Sequence, residues 1–319
     1  MAVYTDISDS DLEAFLADFD LGRAVAFKGI AEGVSNSNFL LETEVGRYIL
    51  TIYEKRAREE DLPYFLGLME WLGGHGFPSP TPVHDRHGHT LKRLSGKPAA
   101  MVTFLPGMSL RKPGHVHCRE AGAGLARLHQ AAAGFPGHRV NDLGQPAWAG
   151  MFQGEETAAD RLRPGLADTI AADLEMLERG WPRDLPQGVI HADFFPDNVF
   201  FLDNRFAAAI DFYFAANDAL AYDVAVCLNA WCFEPDGSFN VTNARAFTGG
   251  YQSVRPMSDG EVAALPVLAH GAAMRFFLTR LIDWDATPEG ALVKPHNPLD
   301  YEARLAFHRA SAGRLELFA

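Results

Sequence analysis

Three features are scarce in this sequence of 319 residues, and each scarcity disfavours a class of protein. The three cysteines, Cys118, Cys227 and Cys232, are too few and too scattered for the disulfide framework of a small secreted domain. Basic side chains are outnumbered, with 28 Lys and Arg against 41 Asp and Glu, so the net charge of −13 disfavours nucleic acid or an anionic membrane as partner. No uninterrupted apolar run approaches the ~20 residues of a membrane-spanning helix.

The amino-terminal residues also lack the basic and apolar segments of a secretory leader, so we expect no signal peptide. The sparse, odd cysteine count fits a reducing compartment, and the expected location is the cytoplasm. The composition is that of a globular protein, because 48% of the residues are hydrophobic and 22% are charged. At roughly 100–200 residues per domain, the length allows one large domain or two ordinary ones.

Alternating hydrophobic residues predict a β-rich region over residues 1–105. A capping box at Ser10-Asp11-Leu12-Glu13 predicts the start of a first helix. The predicted strands cover residues 27–30, 38–43, 47–53 and 99–105, and a predicted helix covers 60–73. Residues 84–89 are interpreted as a hairpin turn with exposed histidines, because no cysteine or carboxylate pair completes a metal site.

After Pro106-Gly107 the hydrophobic spacing becomes mainly helical. Helices are predicted over 120–130 and 169–178, a strand over 188–190, and a hairpin with strands 199–202 and 206–210. The sequence therefore predicts an α+β fold with two lobes, a β-rich lobe at residues 1–105 and a mainly helical lobe at 106–319. The cleft between two such lobes is a common ligand site.

Residues 191–198, HADFFPDN, have the His-x-Asp-x-x-x-x-Asn spacing of a phosphotransferase catalytic loop. In such a loop the aspartate accepts the proton of an acceptor hydroxyl, and the asparagine reaches a magnesium ion. A second carboxylate must connect the metal with the phosphates, and the predicted hairpin returns Asp211 beside Asn198. We therefore predict Asp193 as the catalytic residue and Asn198 and Asp211 as metal ligands.

An ordinary turn, in which Asp193 and Asn198 cap backbone groups, is the alternative for this segment. The position of Asp211 after a hairpin, downstream of a β-rich region, favours the kinase interpretation. His191 is predicted to anchor the loop rather than act as a base. Asp223 precedes an apolar helical run, and helix N-capping is the simplest interpretation of it.

The β-rich lobe is expected to hold the nucleotide phosphates. Its candidate loop contains Gly33, Ser35, Asn36, Ser37 and Asn38, between two predicted strands. Glycine and small polar residues let backbone N–H groups approach phosphate oxygens. The loop is neither a Walker A motif nor a complete Gly-x-Gly-x-x-Gly motif, so a plain polar hairpin turn is the competing interpretation.

Taken together, these segments resemble the aminoglycoside phosphotransferase/choline kinase superfamily, which has the protein-kinase-like fold. More narrowly, the chain is similar to the homoserine kinase family within it, which is distinct from the GHMP-type homoserine kinases. The matching segments include 48–55, 191–201, 210–215, 222–225, 228–233 and 275–284. The resemblance implies phosphorylation of the hydroxyl of L-homoserine by ATP with Mg²⁺, giving O-phospho-L-homoserine on the route to threonine. It also implies that Asp223 braces the catalytic loop.

Most members of the superfamily hold the phosphates with a basic residue on the third strand, where this sequence has Thr51. The resemblance implies that Thr51 donates a hydrogen bond there instead. On the acceptor side, Arg275 and Asp283 fall on one helix face and Arg280 lies off it. We predict these three as substrate-binding residues, with arginine clamping the homoserine carboxylate. An ion pair with a neighbouring helix is the alternative.

The nearest competing function is the same reaction on another small acceptor: choline, an aminoglycoside, hydroxylysine or methylthioribose. A non-catalytic pseudokinase is disfavoured because Asp193, Asn198 and Asp211 are all present. A metal-dependent hydrolase is disfavoured because no further ligand with suitable spacing lies nearby in the sequence. The expected partners are therefore the small molecules ATP and L-homoserine, and the oligomeric state is left open.

Overall fold

The computed structural model describes residues 5–30, 36–54, 58–288, 295–312 and 314–318, and it confirms the predicted α+β class. The chain divides into two compact units. The first comprises Met1–Gly107, Gly134–Arg139 and Ala208–Tyr213, and the second comprises Met108–Ala133, Val140–Ala207 and Phe214–Ala319. The predicted boundary after residue 105 takes no account of the two later segments of the first unit.

The amino-terminal elements build an antiparallel sheet in the order β1-β2-β3-β5-β4. The elements are α1 (Asp9–Leu16), β1 (Ala24–Ile30), β2 (Ser37–Thr43), β3 (Arg47–Ile52), α2 (Leu62–Gly74), β4 (Lys92–Leu94) and β5 (Lys97–Thr103). Strand β2 alternates buried and half-buried residues, which places Phe39 and Leu41 on the core face. They pack in one hydrophobic cluster with Leu12, Phe15 and Leu16 of α1.

Helix α1 begins earlier than the predicted capping box. Its N-cap is Ser8, whose Oγ accepts a hydrogen bond from the Asp11 backbone N–H at 3.1 Å, whereas Ser10 lies inside the helix. With this start, Asp9 and Asp11 both lie in the first turn, where the positive end of the helix dipole favours carboxylates. The prediction of Ser10 as the cap is therefore wrong by two residues.

The predicted hairpin at residues 84–89 is also wrong in part. A turn is present, with the Gly88 N–H donating to the Asp85 carbonyl at 3.0 Å, and its histidines are exposed. The hairpin itself joins β4 to β5 through Ser95 and Gly96, whose φ angles are 50° and 78°. Two positive φ angles match the twist of paired strands, so the two-residue turn forms here instead.

The later elements are mainly helical, and they supply the second unit. They are α3 (His115–Ala131), α4 (Gln145–Phe152), α5 (Glu156–Leu162), α6 (Leu166–Gly180), β6 (Gln187–Ile190), β7 (Val199–Leu202), β8 (Arg205–Ala209), β9 (Ala216–Ala219), α7 (Leu220–Trp231), α8 (Val241–Gln252), α9 (Asp259–Ala286) and α10 (Leu299–Ala310). Strands β7 and β8 form the predicted hairpin, with Asp203 and Asn204 at positive φ in its turn. Strand β6 pairs antiparallel with β9.

Three helix–helix contacts organise this second unit. Helices α3 and α8 approach closely at glycines, since a Cβ on Gly122 would lie 2.0 Å from the Phe247 carbonyl oxygen. Helix α9 packs against α7 and α10. Within the described part of the chain, α9 is the one helix long and apolar enough to cross a bilayer, but 72% of its apolar window is buried in the protein.

Candidate active site

The predicted catalytic loop follows β6 and is held by backbone contacts on both sides of Ala192. The Ala192 N–H donates to Asp223 Oδ1 at 2.9 Å, and its carbonyl accepts from Arg275 Nη1 at 3.0 Å. Ala192 has a φ of 60°, which costs an L-residue about 1–2 kcal/mol. These two contacts hold the turn that presents the next residue, Asp193.

Asp223 is not the N-cap of its helix, because α7 begins at Leu220 with Ala219 as the cap. Its fully buried carboxylate instead accepts from the backbone N–H groups of His191 at 2.7 Å and of Ala192. The capping interpretation is therefore wrong, since Asp223 lies one turn into the helix and faces the loop. Burial alone would raise the pKa of Asp223, but the hydrogen bonds that its carboxylate accepts from His129 and from the His191 N–H lower that pKa.

Asp193 and Asn198 are joined directly. Asn198 Nδ2 donates to the Asp193 carbonyl at 2.8 Å and to Asp193 Oδ2 at 3.0 Å. Asp193 is partly exposed, whereas Asn198 is buried in the short 3₁₀ turn Pro196–Asn198. Because the amide nitrogen faces Asp193, the oxygen Oδ1 is the atom with which Asn198 can coordinate a cation.

His191 and the middle of the loop are internal to the fold. His191 is fully buried, and its Nδ1 accepts from the Asp193 N–H at 3.3 Å. Trp231 of α7 donates to the Phe194 carbonyl at 2.7 Å, and the Phe195 ring lies 4.9 Å from that of Phe276. Helices α7 and α9 thus support the loop along its length, which leaves it little freedom to move.

Asp211 lies in the first unit, in the segment Ala208–Tyr213. Its side chain is exposed and its φ is 62°, a conformation that Asp tolerates better than most residues. Two residues later, the Tyr213 hydroxyl is 2.9 Å from that of Tyr53, and its ring packs edge-on against Phe65 of α2. Burial raises the pKa of Tyr213 to about 12. The pairing of Asp211 with Asn198 stays a prediction.

The described residues of the predicted phosphate loop form hydrogen bonds with β3 and with Glu54, just after β3. Asn38 Oδ1 accepts from Thr51 Oγ1 at 2.8 Å, and Ser37 Oγ donates to Glu54 Oε1 at 2.8 Å. Asn36 Oδ1 accepts from the Glu54 N–H at 3.3 Å. Because the one hydroxyl proton of Thr51 is directed at Asn38, contact of Thr51 with a nucleotide would have to involve its lone pairs or pass through Asn38. Gly33 and Ser35 lie outside the described residues.

The three predicted acceptor-binding residues have different surroundings. Arg275 is 3% exposed, and its guanidinium lies 3.9 Å from the ring centre of Phe276. Within the described ranges, no carboxylate lies within ion-pair distance of Arg275. Arg280 pairs with Asp300 of the neighbouring helix α10 at 3.2 Å, which is the structural alternative considered for it. Asp283 is partly exposed near the end of α9.

Sequence reasoning missed His129, whose Nε2 lies 3.0 Å from Asp223 Oδ2. His129 follows Cys118, Gly122 and Leu125 at helical spacing on the buried face of α3. A histidine in that series was the available signal, because a buried imidazole needs hydrogen-bond partners. The Glu54–Lys97 ion pair beside Ser37 was also missed, since its partners are far apart in the sequence.

Comparison with known proteins adds the family context. A model of the phosphotransferase enzyme family matches residues 26–257. A homoserine kinase of Phenylobacterium zucineum is 67% identical over 311 residues, covering 98% of this chain and 96% of the relative. A homoserine kinase of Caulobacter vibrioides is 64% identical and covers all of both chains. The similarity therefore extends over the full length and is not confined to the catalytic loop.

Solved structures with a similar fold are much more distant in sequence. An amicoumacin kinase in complex with AMP-PNP and Ca²⁺ superposes with a TM-score of 0.70 at 17% identity, over 96% of this chain and 92% of that chain. A choline kinase of Cryptosporidium parvum has a TM-score of 0.65 at 15% identity, over 91% and 89% of the two chains. These similarities confirm the predicted protein-kinase-like fold class.

Proposed function

Because the chain belongs to the phosphotransferase enzyme family, we propose that it transfers the γ-phosphoryl group of ATP to the hydroxyl of L-homoserine. The products are O-phospho-L-homoserine and ADP, and the step belongs to threonine biosynthesis in the cytoplasm. The observation that carries this proposal is the full-length similarity to relatives named homoserine kinase. The arrangement of the loop around Asp193 supports it.

Asp193 is the residue that orients the homoserine hydroxyl and takes its proton. The Asn198 amide donates to Asp193 Oδ2, which orients the carboxylate. Phosphoryl transfer passes through a loose transition state, so positioning of the hydroxyl matters more than strong basicity. The hydrogen bonds of the Ala192 backbone with Asp223 and Arg275 hold the turn that positions Asp193.

Asn198 and Asp211 are the residues that would hold Mg²⁺. An amide oxygen and a carboxylate are hard oxygen ligands, and Mg²⁺ in kinases takes only one or two protein carboxylates beside phosphate oxygens and water. The donor set therefore fits the ion. When bound, the ion neutralises negative charge on the phosphates. The loop residues Gly33, Ser35, Asn36, Ser37 and Asn38, with Thr51 acting through Asn38, are proposed to bind the nucleotide.

Arg275 is the proposed partner of the homoserine carboxylate. A buried guanidinium is costly without a counter-ion, and the contacts of Arg275 in the described chain are a carbonyl and aromatic faces. A carboxylate of the acceptor would supply the missing charge with bidentate geometry. Arg280 and Asp283 are the secondary candidates, and the Asp300 contact of Arg280 makes it the weaker of the two arginines.

The decisive experiment is an ADP-release assay with Mg²⁺ and a panel of acceptors. The panel contains L-homoserine, choline, kanamycin, hydroxylysine and methylthioribose, and the Asp193→Asn variant is the matched control for contaminating kinases. We expect turnover that depends on L-homoserine and little response to choline. Robust turnover of another acceptor with none of homoserine would overturn the proposal.

A further inference from the structure

The contacts that hold the catalytic loop continue inward through five polar side chains of the second unit. In order they are Asp223 of α7, His129 of α3, Tyr251 of α8, Arg255 just after α8, and Glu261 of α9; we call them the Asp223–Glu261 network. His129 Nε2 is 3.0 Å from Asp223 Oδ2, and His129 Nδ1 is 2.7 Å from the Tyr251 hydroxyl. Arg255 Nη1 donates to that hydroxyl at 3.1 Å and to Glu261 Oε1 at 2.8 Å.

Four of the five members of the network are buried, so their hydrogen bonds are not interchangeable with bonds to water. Asp223 and Tyr251 are fully buried, Glu261 is 1% exposed and His129 is 5% exposed. A buried polar group left without a partner costs about 1–3 kcal/mol. Each member therefore constrains which protons its neighbours can carry.

The direction of the hydrogen bonds follows from Arg255. A guanidinium only donates, so it occupies a lone pair of the Tyr251 oxygen. If His129 Nδ1 also donated to this oxygen, the buried Tyr251 proton would have no acceptor among the described contacts, at a cost of about 1–3 kcal/mol. The hydroxyl proton is therefore directed at His129 Nδ1, 2.7 Å away. With Nδ1 accepting, the proton of a neutral His129 ring lies on Nε2, where it is donated to Asp223.

We propose that Tyr251, oriented by Arg255 and Glu261, is a positioning residue for phosphoryl transfer. It fixes His129 as the Nε2–H tautomer, which completes the set of donors on Asp223. That set comprises His129 and the two backbone N–H groups of the catalytic loop. Only the activity readout of this inference rests on the proposed function.

The first test removes one hydroxyl. Tyr251→Phe is expected to lower kcat about 10-fold, the rate equivalent of one neutral hydrogen bond, with KM for ATP and L-homoserine changed less than about 2-fold. Thr248→Val is the matched control, because it also removes a buried hydroxyl from α8, one bonded to the Ala244 carbonyl outside the network. Its kcat is expected to stay near that of the wild type.

A double-mutant cycle separates tautomer control from mere structural support. In His129→Gln, the side-chain amide places a permanent N–H where imidazole Nε2 stood, so no tautomer remains to be set. Tyr251→Phe is then expected to have little further effect on kcat in the His129→Gln background. If the fold-reductions in kcat of the two substitutions multiply instead, Tyr251 does not act through the tautomer of His129, and the proposal is overturned.

Hydrogen exchange provides a readout that needs no acceptor. The backbone amides of His191 and Ala192 are expected to exchange faster in Tyr251→Phe than in the wild type and in Thr248→Val. Arg255→Gln, at a more exposed position, should show the same acceleration and replaces Tyr251→Phe if that variant does not fold. Unchanged exchange in the folded variants would contradict the inference even if homoserine turnover is absent. Faster exchange in an enzyme without homoserine turnover would support it while the proposed substrate fails.

Discussion

At the scale of single residues, Asp193 is expected to carry the largest catalytic effect. Asp193→Asn keeps an oxygen for the Asn198 amide but loses the negative charge. We expect kcat to fall about 10²–10⁴-fold with ATP affinity nearly unchanged, because general-base action and orientation are lost while nucleotide contacts remain. Steady-state kinetics and calorimetric titration with ATP check this.

Asp197→Asn is the matched control for Asp193, since it removes an exposed carboxylate from the same loop. Its kcat is expected to stay within about 2-fold of the wild type, as for most surface changes. If Asp193→Asn retains more than about a tenth of wild-type kcat, the loss is only ~1.4 kcal/mol and Asp193 is not the base.

The proposed metal site can be tested at Asp211 with a substitution that keeps the backbone conformation. Its φ of 62° is tolerated by Asn, so Asp211→Asn removes the charge without adding strain, unlike Asp211→Ala. We expect turnover to be abolished and Mg²⁺-dependent nucleotide binding to weaken, because a hard cation loses its anionic ligand. Titration of the nucleotide with and without Mg²⁺ measures this, and equal Mg²⁺ dependence in variant and wild type would refute the assignment.

At the scale of elements, the close crossing of α3 and α8 is what brings His129 within reach of Tyr251. A Cβ on Gly250 would lie 2.1 Å from the Arg119 carbonyl oxygen, a backbone atom that cannot move aside alone. Gly250→Ala is therefore expected to lower the free energy of unfolding by at least ~1–3 kcal/mol, as other overpacked sites do. Gly249→Ala, its exposed neighbour with open space around it, should instead stabilise by about 0.5–1 kcal/mol.

Urea denaturation of the two glycine variants gives the comparison. A Gly250→Ala variant as stable as Gly249→Ala would mean that the helices can separate at little cost. In that case the glycine contact would not be what fixes the distance between His129 and Tyr251.

Local sequence patterns predicted the elements well where the signal lies within a few residues. The hairpin of β7 and β8 has its turn at Asp203 and Asn204 as expected, because both residue types tolerate positive φ. The same reasoning failed at residues 84–89, since Ser95 and Gly96 form a tighter hairpin turn closer to β5. At α1, two serines are available as the cap, and the one used is Ser8, whose Oγ accepts from the Asp11 N–H.

At the scale of the whole molecule, the candidate catalytic residues could be proposed from the sequence, but the contacts that support them could not. The spacing within 191–198 is local, and it singles out Asp193 and Asn198 as candidates. The role of Asp223 depends on β6 pairing with β9, so that α7 starts beside the strand leading into the loop. Arg275 reaches Ala192 across 83 residues of sequence, a contact that no local pattern encodes.

Stability of the molecule toward acid is expected to depend on His308, in α10. Its Nε2 donates to Asn229 Oδ1 at 2.9 Å, since the amide nitrogen of Asn229 is used on two helix carbonyls. Its Nδ1 is buried without a hydrogen-bond partner in the described structure. Burial, with the nearby charges of His270 and Arg304, holds the pKa of His308 well below 6.5.

The sign of the effect follows from that direction. Below pH 6.5 the unfolded chain binds a proton at His308 that the folded chain does not bind. The free energy of unfolding is therefore unaffected by His308 well above this pH, and it falls as the pH drops. Between about pH 7.5 and pH 5.5, His308 alone is expected to lower the free energy of unfolding by about 1.4 kcal/mol. His308→Gln retains a donor toward Asn229 but cannot titrate, so urea denaturation should show a smaller loss over the same range. An equal loss in both proteins would assign the acid sensitivity to groups other than His308.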